Sequence, residues 1–361
     1  MSPKILHVVA ARPNFIKMAS VIAAIGRDPS VRQSIVHTGQ HYDVNMSDVF
    51  FRQLGMPVPD INLGVGSGGH GAQTGEIMIR FEAVVKEQKP DLVLVYGDVN
   101  STVAAVLVCS KLEILVGHVE AGLRSFDRTM PEEINRLVTD QIADFLFTPS
   151  EDGDDNLRKE GISPEKIFRV GNVMIDSLVK LLPAAEGIKL PGIPERYALV
   201  TLHRPANVDD RSTLKGILDS LSDVSRKLAV VLPVHPRTRQ RIGDFGMNTE
   251  QIHLLDPLPY IDFLSLQTRA TVVITDSGGV QEETTYLGIP CLTMRENTER
   301  PITVSMGTNI LIGRDPGKLA RELSRVLDGG AKKGTVPPLW DGHAGARIAD
   351  VLISHVPPRL S

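Results

Sequence analysis

Three carboxylates stand where proton transfer could be done: Asp98 in VYGDVNST, Glu120 in GHVEAGLR and Glu132 in MPEEINR. Asp98 follows the apolar run LVLVY, Glu120 follows ILVGHV, and Glu132 comes directly after Pro131 at the start of a helical pattern. Carboxylates crowded at neighbouring strand ends push one another's pKa values apart, so one can serve as acid and another as base. Asp98 could also simply close a turn, and Glu132 and Glu133 could complement a helix dipole. We read Glu133 in that structural way and Glu120, at a Gly-flanked strand end, as functional.

A second group of residues suits anions. In DSGGVQEETTYLG, after TVVITD, Asp276, Ser277, Gly278 and Gly279 make a turn of little bulk that opens a helix. Free backbone N–H groups and the helix dipole would there meet a diphosphate. Glu283, one turn further in, can accept hydrogen bonds from ribose hydroxyls. The alternative is a Ser/Asp cap with a capping-box glutamate, against which the paired glycines weigh. In AARPNFIK, after the first strand, Arg12 offers a planar fork and Lys17 a point charge to phosphate oxygens, unless both are a solvated surface pair. His203 and Arg204 in TLHRPAN could grip phosphate or shuttle a proton, and His235, before Pro236 and Arg237, repeats the placement. Glu299 and Arg300, before Pro301, lie on a loop able to return to the ligand of the glycine turn.

The elements that must position these residues alternate. Short β-branched runs (KILHVV, DLVLVY, ALVTLH, TVVITD) are followed by amphipathic stretches such as FIKMASVIAAIG, PEEINRLVTDQIA and a helix from about Ser212 to Lys227. That is βαβ grammar, and ligands of open parallel sheets bind at the carboxyl ends of the strands. We expect an α/β protein of two doubly wound, Rossmann-like domains facing a cleft: residues 1–182 with the carboxylates, a Pro-rich linker 183–196, and residues 197–340. A last helix, about 341–356, is expected to pack back onto the first domain.

Composition agrees with this size. The chain has 361 residues, 42% hydrophobic, with 39 Lys+Arg against 43 Asp+Glu for a net charge of −4. That is enough chain for two cores, and without a long basic run it argues against a nucleic-acid partner. The apolar run from Ile5 to Ala11 is too short for a signal peptide or membrane span, so we expect a cytoplasmic protein with no membrane insertion. Cys109 and Cys291 sit among apolar neighbours without metal-ligand spacing, and read as buried structural thiols.

Together TGQHYD, YGD, HVEAGLR, PEEINR, HR, DSGGVQEE and NTERP, spread over about the whole chain, resemble the non-hydrolysing UDP-N-acetylglucosamine 2-epimerases. The resemblance implies a fold of glycosyltransferase-B type with UDP held mainly by the second domain, no metal or nicotinamide, and a homodimer. It also implies a chemistry: UDP is eliminated from C1 as C2 is deprotonated, and re-added to the 2-acetamidoglucal after protonation from the opposite face. UDP is thus retained as an intermediate and no cofactor is needed. By motif match, Asp98, Glu120 and Glu132 become the acid/base candidates. Arg12, Lys17, His203 and Arg300 would stabilise the departing diphosphate, Ser277, Gly278 and Gly279 bind phosphate, and Glu283 bind ribose. Backbone near Leu258 and Tyr260 would meet uracil.

Several positions depart from the family pattern. Ala206 stands where a glutamate is usual and Pro205 where many relatives have a second arginine. Gln40, Gln73 and His235 resemble part of a pocket for an activating UDP-sugar, but Ala72 replaces an expected arginine, which argues against strong allostery. TGQHYDVNMSDVF and RSFDRTMPEEINR look like the branch that includes UDP-2,3-diacetamido-2,3-dideoxyglucuronate 2-epimerases. The leading expectation is interconversion of UDP-GlcNAc and UDP-ManNAc for surface polysaccharide precursors. That diacetamido-uronate activity is the first alternative, followed by a hydrolysing 2-epimerase or a glycosyltransferase of the same fold.

Overall fold

A computed structural model of the chain describes residues 3–39 and 55–356. The chain divides into two units, Met1–Lys180 with Pro338–Ser361, and Leu181–Pro337.

The first unit is built on seven strands: β1 (Lys4–Val9), β2 (Arg32–His37), β3 (Ile61–Asn62), β4 (Leu92–Tyr96), β5 (Leu115–Val119), β6 (Phe145–Thr148) and β7 (Ile167–Arg169). They lie in the order β3-β2-β1-β4-β5-β6-β7, every pairing parallel. All five residues of β4, LVLVY, are buried, as expected of a strand covered by helices on both faces. Strand order reverses between β1 and β4, which makes their carboxyl ends the topological switch point of this sheet.

The second unit repeats the plan with six strands: β8 (Tyr197–Thr201), β9 (Ala229–Pro233), β10 (His253–Leu255), β11 (Val272–Thr275), β12 (Cys291–Thr293) and β13 (Asn309–Leu311). Their order is β10-β9-β8-β11-β12-β13, again parallel throughout, with the reversal between β8 and β11. The helix foreseen near Ser212 spans Arg211–Ser225, its first turn closed by Asp210, whose carboxylate accepts from the Thr213 amide. Both units are therefore α/β and doubly wound.

The stretch 183–196 is not a bare connector. Pro183 lies inside the helix Val173–Glu186, which tolerates the loss of one N–H donor. Beyond it, Ser265 Oγ donates to the Ile188 carbonyl at 2.8 Å, and Leu190 and Ile193 pack on the apolar cluster that contains Tyr197, Leu199 and Val273. At the other end, residues 338–340 belong to the first unit rather than the second, and Trp340 Nε1 donates to the Pro149 carbonyl at 2.9 Å. The last helix, Ala344–His355, lies against the helix Arg12–Ile25. Its first amides, of Ala344 and Gly345, donate to the Asp176 carboxylate at 3.0 and 2.7 Å. No helix among the described residues is long and apolar enough to cross a membrane.

Candidate active site

In the first unit the chemistry gathers at the carboxyl ends of β1, β4 and β5. Asn14, in the first turn of the helix Arg12–Ile25, ties the first two together. Its Oδ1 accepts from the Ala10 and Ala11 amides at 3.3 and 3.0 Å, and its Nδ2 donates to the Tyr96 carbonyl at 2.7 Å. One turn on, Lys17 is buried and its ammonium pairs with Glu120. Lys17 is thus not a solvated surface cation, and in this state it faces a carboxylate. A buried pair of this kind is costly to break from one side, by about 3–5 kcal/mol.

Glu120 has a φ of 78°, a left-handed conformation rare outside glycine, and both its amide and that of Ala121 donate to the Phe147 carbonyl. Strain of this sort is found where a side chain must be aimed. Gly97, between β4 and Asp98, has a φ of 66°, and a Cβ there would come within 2.7 Å of Lys17 Nζ. Only glycine fits the backbone that close to the ion pair.

Asp98 is half-buried, with Oδ2 2.5 Å from Arg136 Nη1. Arg136 is buried and is held in turn by Glu133, at 2.6 Å from Nη2. Glu133 also accepts from the Ser125 amide and hydroxyl and the Phe126 amide. Burial pushes the Glu133 carboxyl up, but those donors and Arg136 outweigh it and hold it below the usual carboxylate range. Glu133 is therefore more than a charge complementing a helix dipole, contrary to the reading from sequence. Glu132 lies beside it, half-buried, with no hydrogen bond or ion pair recorded to any described residue. Behind Gly97, wholly buried His118 bridges the Gly97 carbonyl, 2.9 Å from Nε2, and Asp140, 2.6 Å from Nδ1. Arg124 closes on the other Asp140 oxygen at 2.7 Å.

The second unit gathers the residues expected to meet an anion at its own switch point, beside the ends of β8 and β11. The helix Gly278–Leu287 starts at the foreseen glycine pair, and Ser277 at its N-cap makes no side-chain cap. The structural alternative of a capping box is thus not realised, which leaves the Ser277 hydroxyl and the first-turn amides to a ligand. Asp276 is fully buried and organises the neighbouring loop: it accepts from the amides of His203 and Arg204 and from Asn207 Nδ2, and lies 3.0 Å from His203 Nδ1. Burial raises its pKa, yet these partners bring it below the usual range.

Arg204 Nε donates to the Asp276 carbonyl at 3.0 Å, and its Nη2 reaches Glu299 at 3.2 Å. Glu299 is shared with Arg300, at 2.6 Å, and Arg295, at 2.7 Å, and the three guanidiniums overcome burial to hold it well below the carboxylate range. Arg300 Nε also pairs with Glu282 at 2.8 Å. A Cβ on Gly278 would overlap the Arg300 guanidinium, so the glycine lets this cation reach the helix start.

Glu283 is buried and accepts from the Tyr260 hydroxyl at 2.6 Å; burial pushes its carboxyl up to about 7. Leu258, two residues before Tyr260, packs half-buried on the adjoining apolar cluster. His235 is exposed at the N-cap of the helix Pro236–Asp244, its ring 5.7 Å from that of His203, while Arg237 is taken up by Asp209. Ala206 is exposed, so the departure in HRPAN leaves the Asp276 contacts intact.

The first unit thus brings together Asp98, Glu120, Glu132 and Lys17. The second gathers His203, Arg204, Ser277, Gly278, Gly279, Glu283, Tyr260 and Arg300. Gln73 is buried, accepts from Asn100 Nδ2 at 2.8 Å and donates to the Gly66 carbonyl, so part of its amide serves the fold. Gln40, most of the TGQHYD motif and the side chain of Arg12 lie outside the described residues. Sequence reasoning missed Asn14, His118, Arg136, Asp140 and Arg295. For Arg136 the i,i+3 spacing from Glu133 was a usable signal. Among the described residues no group of three or more His, Cys, Asp or Glu is arranged to hold a metal.

The family model for UDP-N-acetylglucosamine 2-epimerase matches residues 23–353. A UDP-N-acetylglucosamine 2-epimerase of Methanocaldococcus jannaschii is 42% identical over 363 residues, covering 97% of this chain and 98% of its own. A UDP-2,3-diacetamido-2,3-dideoxy-D-glucuronate 2-epimerase of Pseudomonas aeruginosa is 43% identical over 352 residues, covering 97% and 99%. The crystal structure of the M. jannaschii UDP-GlcNAc 2-epimerase in complex with UDP-GlcNAc and UDP superposes with a TM-score of 0.92, over 97% of this chain and 99% of that one. Motifs, strand orders and similarity along nearly the full length converge: with its two Rossmann-like units of glycosyltransferase-B type, this chain belongs to the UDP-N-acetylglucosamine 2-epimerase family.

Proposed function

We propose that the chain inverts C2 of a UDP-2-acetamido sugar, with UDP-GlcNAc and UDP-ManNAc as the pair interconverted. The observation that carries this reading is the set of carboxylates Asp98, Glu120 and Glu132 at adjoining strand and helix ends, two of them held by cations and one without a partner among the described residues. Inverting one carbon requires a proton to leave one face and another to arrive on the opposite face, so at least two such groups are needed.

The C2 hydrogen has no adjacent carbonyl and cannot be exchanged directly. In the proposed sequence a carboxylate takes the C2 proton, the C–H pair becomes the C1=C2 bond of a glycal, and the C1–O bond breaks with its electron pair leaving on UDP. A second carboxyl then protonates C2 from the other face as the UDP oxygen returns to C1. Atoms and electrons balance with UDP conserved, so no hydride acceptor enters. Arg300, Arg204, Ser277 and the glycine turn, with His203, would hold the diphosphate, and Glu283 the ribose. Lys17 would answer the charge changes on Glu120.

The test is proton NMR of the purified protein with UDP-GlcNAc in deuterated water: UDP-ManNAc should appear as the C2 proton signal is lost. Recovery of unlabelled substrate would sink the reading. Asp98→Asn and Glu132→Gln should each retain UDP binding and lose most turnover. A second substrate is favoured by the 43% identity to the diacetamido-glucuronate 2-epimerase, and turnover of that UDP-sugar in preference to UDP-GlcNAc would select it. On this reading the chain acts in the cytoplasm as a homodimer supplying surface polysaccharide precursors; light scattering of the purified protein checks the dimer.

A further inference from the structure

The helix Pro131–Ile142 takes hold of Asp98 twice. Asn135 Nδ2 donates to the Asp98 main-chain carbonyl at 2.8 Å, and Arg136 Nη1 meets its carboxylate at 2.5 Å. Two consecutive residues of one helix thus fix both the backbone and the side chain of a single acidic residue. Arg136 is not free to follow the carboxylate: Nη2 and Nε donate to Glu133 Oε2 at 2.6 and 3.1 Å. Glu133 is itself set by donors from Ser125 and Phe126, and Phe126 has a φ of 58°, so the turn that supplies those donors is strained. The order of constraint runs from turn to Glu133 to Arg136 to Asp98.

Neighbouring residues of a helix point about 100° apart, so Glu133, turned inward to Arg136, leaves Glu132 on another side. Arg136 thus reaches Asp98 with one end of its guanidinium and Glu133 with the other. We propose that the Glu133–Arg136 pair is a positioning device that holds the Asp98 carboxylate for its proton-transfer step with the C2 hydrogen. This rests on the epimerase reading above. Neither residue need touch the substrate; each acts through Asp98. Misplacing a reacting group by about 1 Å can cost about 100-fold in rate, while diphosphate binding in the second unit involves neither residue.

The experiment is steady-state turnover of UDP-GlcNAc carrying either hydrogen or deuterium at C2, with UDP affinity measured in parallel by calorimetry. Arg136→Ala should lower kcat by at least about 100-fold with KM within about threefold. Its C2 deuterium isotope effect should rise above that of the unaltered enzyme, because only the proton-transfer step has been slowed. Guanidinium at non-denaturing concentration should restore part of kcat, and Arg136→Lys should keep more than the alanine variant. Glu133→Gln, nearly isosteric and so the safer variant for folding, should lose about tenfold in kcat with a raised isotope effect. A loss with unchanged isotope effect and no rescue, or full activity in either Arg136→Ala or Glu133→Gln, overturns the positioning role while leaving the epimerase reading intact. Absence of C2 exchange in the unaltered enzyme overturns both.

Discussion

Glu283 ties a single proton to the stability of the second unit. It is buried, and burial raises its carboxyl from 4.5 to about 7 against the hydrogen bond from Tyr260. Between those two values the folded chain keeps a proton that the unfolded chain has lost. The resulting stabilisation is complete below about pH 4.5 and is lost as pH rises through about 7, by about 3 kcal/mol in all at about 1.4 kcal/mol per unit. Glu283→Gln carries no such proton, so without UDP its stability relative to the unaltered chain should climb from pH 5 to pH 8. Denaturant midpoints across that range check it, and parallel curves would refute it. The placement of Asp98 and Glu120 just past strand ends and of Glu132 at a helix start was legible in sequence, because each follows an apolar run or opens a helical pattern. The partner of Lys17 was not: Glu120 lies 103 residues away, and only the pairing of β4 with β5 beside β1 brings it near. Glu133 was misread for a different reason: its amide donors, Ser125 and Phe126, are near in sequence but stand in a turn that no periodicity reveals.

At the level of elements, the helix Arg12–Ile25 that carries Lys17 is braced by the last helix of the chain. Gly345 packs so closely that a Cβ there would lie 2.7 Å from the Ser20 carbonyl carbon. The opening amides of that last helix are satisfied by Asp176 from another helix, a cap supplied 168 residues away in sequence. Losing a cap costs about 1 kcal/mol, and losing the charge at a helix N-terminus adds up to about 1 more. Asp176→Ala should therefore destabilise the first unit by about 1–2 kcal/mol and leave UDP affinity unchanged, as read by denaturant unfolding and calorimetry; an unchanged midpoint would count against the long-range cap. The last helix itself was legible from the spacing of HAGARIADVLISHV. The stretch 183–196 was not, because its prolines read as punctuation while Pro183 continues a helix and Leu190 and Ile193 find apolar surface to cover.

Across the whole molecule, the alternation of β-branched runs and amphipathic stretches was enough to foresee two parallel sheets, since parallel strands need crossovers and crossovers of this length are helices. The boundary between the units was not written in composition: residues 338–340 follow the second unit in sequence yet are anchored through Trp340 to the first. Each unit also contains a single cysteine, Cys109 in the first and Cys291 in the second, both fully buried, with burial pushing their thiols up to about 12 and about 11. A sulfhydryl reagent can thus reach either one only when its own unit opens, and the chain carries one built-in reporter of local unfolding per unit. If UDP is held by the second unit, adding it should slow alkylation of Cys291 far more than that of Cys109, a difference that peptide mass spectrometry would read directly.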